Sequence, residues 1–236
     1  MIFGEKTIPF ELKQGDLQIT VTKDQNSFSY FRNCNGDIAE RLILMNLSDI
    51  LIAPVEPLNL PSQVAAYLMI EFGREIMLEP DTNQTIYLTF PIETGVFVGK
   101  KGKHELLDVF TLTKPRYTLY GEPRNGFLCK YWKSRIYLEE PTPDPMLEGV
   151  IKLKIDNASH EWVAVNKALF NGMGMKIYYN NNCVSMKAQM KVLEEEAAEI
   201  QFYSSALHKE MKKSPELYTL KRLSVVSKKA IMLEGI

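Results

Sequence analysis

The chain has 236 residues, 45% of them apolar and 24% charged, with a formal net charge of −1. That length and balance suit a globular protein of one large β domain or two small ones, either able to bury a real core. They exclude bulk attraction to nucleic acid or anionic membrane, and no apolar run approaches the roughly 20 residues that span a bilayer.

The charge is unevenly spread. Residues 1–99 carry 6 cations against 13 acids, whereas residues 100–137 carry 9 against 3. The middle of the chain is therefore a basic island on an acidic body. The N-terminal stretch has charges at Glu5 and Lys6 and no continuous apolar core, so it does not read as a signal peptide. Cys34, Cys129 and Cys183 are odd in number and far apart, which argues against a disulfide framework and for a reducing, cytoplasmic location.

Period two dominates along the chain. Leu17, Ile19 and Val21 alternate with Gln18 and Thr20, as one wet and one buried face of an antiparallel strand require. Phe28–Arg32 and Arg41–Met45 follow, separated by Asn35-Gly36, a pair able to supply the positive φ values of a tight hairpin. The proline cluster Pro54–Pro61 mixes proline with apolar residues and reads as an edge or crossover packed on the core. Ala66–Phe72 and Glu75–Leu78 are strand candidates, and Asp81-Thr82-Asn83 is the turn before Thr85–Phe90. Val96–Val98 and Leu106–Phe110 flank a basic hairpin tip at Lys100, Lys101 and Lys103. Asn125-Gly126 marks a further hairpin.

Glu139–Pro145 holds three prolines and three acids, a stiff extended stretch that cannot be a central strand. It marks the expected junction between an N-terminal domain, 1–140, and a C-terminal domain, 146–236, with 141–145 as linker. Beyond it come Val150–Ile155, Trp162–Val165, Met175–Tyr179, Val184–Val192, Ile200–Tyr203 and Val225–Met232. The clearest alternation sets Val184, Met186, Ala188, Met190 and Val192 inward and Ser185, Lys187, Gln189 and Lys191 outward. Helix is expected only in short pieces such as Ala206–Lys213, ended by Pro215. The fold class is mainly β, antiparallel and sandwich-like, in two packed domains with little helix.

No motif names a reaction. The phosphate-loop, dinucleotide and nucleophile-elbow patterns are missing, and His104, His160 and His208 stand without metal-ligand spacing. No catalytic residue, metal or cofactor is assigned. What remains is 114–137, where Lys114, Arg116, Arg124, Lys130, Lys133 and Arg135 face a single acid, Glu122. Tyr117, Tyr120, Phe127, Tyr131, Trp132 and Tyr137 are interleaved with them, and about half of these rings are expected to be mostly buried, as Tyr and Trp are on average. Cationic heads beside exposed rings can hold a phosphate, a flat ligand or an acidic partner. The same letters fit two amphipathic strands with rings in the core. Asp108 precedes the segment as a lone carboxylate, able to orient an arginine, accept a ligand hydroxyl or act as a base.

Several longer phrases combine: Pro54-x-Glu-Pro-x-Asn-Leu-Pro61, Ile86-Tyr-Leu-Thr-Phe-Pro-Ile-Glu93, Val96-Phe-Val98, Leu107-Asp-Val-Phe110, Tyr117-Thr-Leu-Tyr-Gly121, Cys129-Lys-Tyr-Trp-Lys-Ser134 and Met211-Lys-Lys-Ser-Pro-Glu-Leu-Tyr218. Together they resemble the archaeal DUF432 family, a family of unknown function, over essentially the whole chain. The resemblance implies no activity, cofactor or catalytic residue. Through the family's association with gene neighbourhoods of small mechanosensitive channels, it adds a regulatory partnership with a membrane channel to the readings.

The expected function is a non-enzymatic binding module. Its ligand-binding candidates are Asp108, Lys114, Arg116, Tyr117, Tyr120, Arg124, Lys130 and Trp132, holding an anionic small molecule or an acidic protein surface. The competing expectations are an enzyme with an interdomain site and Asp108 as acid or base, and a single-strand nucleic-acid binder stacking bases on Tyr117, Tyr120 and Trp132.

Overall fold

The computed structural model describes residues 2–44, 49–61, 64–100, 103–194, 197–217 and 230–232. Its strands begin with β1 (Gly4–Thr7), β2 (Phe10–Gln14), β3 (Leu17–Asp24), β4 (Ser27–Cys34), β5 (Asp37–Ile43) and β6 (Asp49–Val55). Next are β7 (Tyr67–Leu78), β8 (Asn83–Pro91), β9 (Glu93–Lys100), β10 (Lys103–Phe110), β11 (Tyr117–Tyr120) and β12 (Phe127–Ser134). The last are β13 (Glu148–Asn157), β14 (Val163–Asn171), β15 (Tyr178–Tyr179), β16 (Val184–Glu194), β17 (Ala197–Phe202), β18 (Lys212–Lys213) and β19 (Ala230–Met232). Helix is scarce among the described residues, and includes one 3-10 turn, Gly172–Gly174. The fold is mainly β and sandwich-like, as the alternation requires.

The strands form four sheets. One runs β1-β6-β9-β10, a second β11-β12-β7-β14, and a third β2-β3-β4-β5. The fourth runs β18-β15-β16-β13-β8, with β17 on β16 and β19 on β17. Nearly all pairings are antiparallel, but β12 runs parallel to β7 and β13 parallel to β16. One hydrophobic cluster joins residues from all four sheets, from Ile19 and Tyr30 through Ile52, Leu68, Phe90 and Phe97 to Val165 and Met190.

The expected junction at Glu139–Pro145 is corrected by the ladder. β13 pairs with β8 from Glu148↔Pro91 to Asp156↔Asn83, and β14 pairs with β7. Strands from 1–140 and 146–236 thus share two sheets, and 141–145 is not a linker between separate units. The segment is a strap that carries the chain from β12 to β13. Its far end is tied by Asp144, whose carboxylate accepts from the Met146 N–H and whose carbonyl accepts from the N–H groups of Leu147 and Glu148. Prolines read as a boundary because they exclude pairing, but a strap between sheets excludes pairing just as well.

Local expectations fare better. Asn35 and Gly36 take φ of 52° and 84°, the paired positive values of a tight hairpin. Ala66–Phe72 and Glu75–Leu78 fuse into the one long β7. Val192 and Glu194 of β16 pair antiparallel with Ala198 and Ala197 of β17. Val184, Met186, Ala188, Met190 and Val192 are buried as expected, but Ser185 is buried too. The chain after β17 lies over that face: Ser185 Oγ bonds Met211 Sδ, Lys187 Nζ reaches Ala206 O, and Tyr203 OH donates to Gln189. Ala206–Lys213 is correspondingly not a helix but bends and turns ending in β18, which pairs with β15. Of Val225–Met232, only the part in β19 lies within the described residues.

Candidate functional site

The basic–aromatic segment folds into the hairpin β11–β12 at one edge of its sheet. The turn at 121–126 closes through Glu122 O, which accepts from the N–H groups of Asn125 and Gly126. Gly126 is needed for close approach, not for φ: a Cβ there would lie 2.6 Å from Tyr120 O and 2.7 Å from Glu122 O. Tyr117 stands opposite Lys130, Leu119 opposite Leu128 and Tyr120 opposite Phe127. Period two then splits the segment into two faces.

The first face carries Tyr117, Leu119, Leu128, Lys130 and Trp132, and at its centre it meets the core. Lys130 is 2% exposed, and its Nζ lies 2.5 Å from Glu93 Oε1 of β9, itself 0% exposed. Glu93 also accepts from the N–H groups of Asn59 and Leu60. Burial raises the Glu93 carboxyl above its usual range, against the Lys130 charge and these hydrogen bonds, which lower it. Trp132 is half-buried and donates Nε1–H to Thr89 Oγ1, and Tyr117 donates its hydroxyl to Leu60 O. The Lys130–Glu93 pair therefore pins the second sheet onto the first.

The second face carries Thr118, Tyr120, Phe127, Cys129, Tyr131 and Lys133. Tyr131 OH donates to Glu71 Oε2 at 2.8 Å and Lys133 pairs with Glu71 Oε1 at 3.1 Å, which together hold the Glu71 carboxyl below its usual range. Burial pushes the Cys129 thiol up to about 11, far from a reactive thiolate. β11 and β14 are opposite edges of this sheet, yet Lys167 Nζ of β14 sits 5.5 Å from the Tyr120 ring centroid. The sheet is therefore strongly coiled, with its second face concave. An open cleft of about 780 Å³ results, lined by Glu71, Arg74, Glu75, Tyr120 and Lys167 among others.

The eight candidates are thus not gathered at one place. Lys114, Arg116 and Arg124 are exposed, as is Arg135, and none of the four forms an ion pair with another described residue. Tyr117 is exposed and Tyr120 is buried against the cleft. Of the six rings Tyr120 is buried, Tyr131, Trp132 and Tyr137 are largely covered, and Tyr117 and Phe127 are exposed, so at least half are mostly buried, as expected. Asp108 lies elsewhere: its Oδ2 accepts from Arg32 Nε at 2.6 Å and from Tyr30 OH at 2.8 Å. The arginine it orients comes from β4, not from the basic segment. Arg32 also pairs with Asp37 and lies 5.5 Å from the Phe110 ring.

The hairpin expected around Lys100 and Lys103 is present as β9–β10, while Lys101 lies outside the described residues. His104 and His160 are exposed, and His208 Nε2 lies 2.8 Å from Glu140 Oε1. Among the described residues no group of three His, Cys, Asp or Glu is placed to hold a metal ion, and no helix is long and apolar enough to cross a membrane.

Arg32, Glu71, Glu93 and Lys167 went unmarked in the sequence. Arg32 had a local signal, since it continues the inward row Phe28, Tyr30. Lys167 had none, because its position depends on how the sheet coils.

A family model described as "Protein of unknown function (DUF432)" matches residues 2–234. No curated protein and no solved structure matches the chain.

Proposed function

The chain belongs to the DUF432 family, whose function is unknown, and from the geometry of the β11–β12 edge we propose that it is a non-enzymatic binding module for an anionic partner, working in the cytoplasm. One observation carries the reading. Lys114, Arg116 and Arg124 are exposed and take no ion-pair partner among the described residues, beside exposed Tyr117 and Phe127. Arginine suits the anchoring role, because a guanidinium offers a rigid fork to carboxylate or phosphate. Lys130 and Asp108 leave the candidate set, since each spends its charge on a buried or half-buried partner. A base-stacking reading is weakened by the burial of Tyr120 and the bond from Trp132 to Thr89.

The test uses the full chain with two probes, poly-glutamate and inorganic triphosphate, titrated at rising salt. The wild type is expected to bind at least one of them, more weakly as salt rises. Arg116→Ala with Arg124→Ala is expected to lower that affinity tenfold or more while Tm stays within about 2 °C, the range of surface substitutions. No binding of either probe, or a Tm loss of roughly 10 °C in the double variant, would overturn the proposal.

A further inference from the structure

Building on that reading, the state of the β11 backbone identifies the partner's chemistry. β11 pairs with β12 alone. Tyr131 N–H donates to Arg116 O, which fixes the phase of the ladder. Arg116, Thr118 and Tyr120 turn their backbone groups toward β12, so Tyr117 and Leu119 turn theirs outward. Among the described residues, nothing hydrogen-bonds the N–H or C=O of either. The neighbouring side chains are open as well: Tyr117 is 37%, Leu119 44%, Leu128 45% and Phe127 53% exposed. Natural sheets blunt such edges with short strands, proline, lysine, a bulge or a covering loop; β11 is short and follows Pro115, but its own four residues contain no proline, lysine or bulge.

The two sides of this edge differ. Tyr117 and Leu119 share one face with Leu128. Arg116 belongs by parity to the other, with Thr118 and Tyr120, and that face leads to the cleft where Lys167 stands over Tyr120. Lys114 flanks one end of β11, and Arg124 stands in the turn beyond the other. An incoming strand would meet apolar surface on one side and positive charge on the other and at both ends. A second copy of this chain fits poorly, because it would bring the same three cations with only Glu122 in exchange.

We propose that β11 is a docking edge, and that its occupant is an extended acidic segment of a partner protein that adds to the sheet as a further strand, with acidic and apolar residues alternating. Main-chain hydrogen bonds would supply much of the affinity, with alternate side chains setting specificity, as in other cases of strand addition. A free phosphate compound would use the cations and leave the apolar stripe and the outward backbone groups unmatched.

The probe is an acetylated, amidated heptapeptide of alternating Glu and Val, tested on the full chain beside poly-glutamate, inorganic triphosphate and a thymidine oligonucleotide. The heptapeptide is expected to bind at least tenfold tighter than the other three, and saturation is expected to slow amide hydrogen exchange at Tyr117 and Leu119 by tenfold or more. Leu119→Pro removes one outward N–H and leaves the β12 ladder intact, so it should weaken the heptapeptide tenfold or more. Should that variant fold poorly, the exchange measurement on the wild type decides alone. Heptapeptide binding without protection of those two amides would overturn strand addition and leave the anionic-partner reading standing. Preference for triphosphate or the oligonucleotide would do the same. Failure of every probe would remove both.

Discussion

Replacing Lys130 by methionine keeps most of the unbranched side chain, one atom shorter, and removes its charge. The structure sets the scale of the effect. At 2.5 Å and an effective dielectric of 20, the Lys130–Glu93 attraction is roughly 7 kcal/mol, set against desolvation penalties of several kcal/mol for each ion. The intact pair therefore adds little net stability. Breaking it is different, because Glu93 remains buried with its charge unmatched, and the expected loss is about 3–5 kcal/mol. For a chain of this size that lowers Tm by roughly 6–20 °C.

The pH dependence has a definite sign. Burial already raises the folded-state carboxyl of Glu93 above its ordinary 4.5, and losing Lys130 removes the strongest influence that lowers it. A carboxyl raised in the folded state favours the fold at low pH and works against it as pH rises through the raised value. The deficit of Lys130→Met should therefore be full at neutral pH and shrink as pH falls toward 4.5. Adding Glu93→Gln should restore part of the stability at pH 7, since no unmatched charge is then buried and the amide oxygen can still accept from the Asn59 N–H. Thermal unfolding followed by circular dichroism at pH 5 and pH 7.5 measures all three chains. A loss below about 1 kcal/mol for Lys130→Met, the scale of an exposed pair, would refute the argument.

Three further outcomes are expected. Arg32→Met leaves the Asp108 carboxylate without a cation, held only by hydrogen bonds from Tyr30 OH and the Val109 N–H, and should cost about 2–4 kcal/mol in urea unfolding; an unchanged midpoint would show the pair to be dispensable. Met186→Asp places a charge at a fully buried position of β16 and should cost about 4 kcal/mol or more, so an unaltered melting curve would contradict the packing of that face. Gly126→Ala forces a Cβ against two carbonyls of the turn and should cost about 1–3 kcal/mol, with amide shifts concentrated in 117–130; uniformly small shifts would contradict the turn geometry.

What the sequence made legible was everything governed by period two and turn chemistry. Leu17, Ile19 and Val21 point inward because a strand has no other way to separate them from Gln18 and Thr20. Asn35-Gly36 turns the chain with the φ signs its residues allow. What stayed hidden depends on contacts between sheets. Arg32 and Asp108 are 76 residues apart, and Lys130 and Glu93 are 37 apart. Alternation reveals that Arg32 and Lys130 occupy inward positions, but it cannot name the carboxylate that meets them. Ser185 misled for a related reason: its own strand gives it an outward position, and a later segment covers that side.

The basic island at 100–137 resolves into two populations, and the division follows strand geometry, not composition. Acids from the first part of the chain claim some of its cations: Glu93 takes Lys130 and Glu71 takes Lys133. Both cations lie where β12 runs beside β7, well inside the sheet. Those four residues explain why the charge asymmetry between residues 1–99 and 100–137 need not produce one positive surface. Lys114, Arg116 and Arg124 flank or close β11, where the sheet ends and no acid of the described chain reaches them. The edge that leaves those charges unmatched also leaves two residues of backbone and an apolar stripe unmatched. A small anion would satisfy the first of these alone. An acidic strand would satisfy all three, and so the proposed partner is better sought among polypeptides than among phosphorylated metabolites.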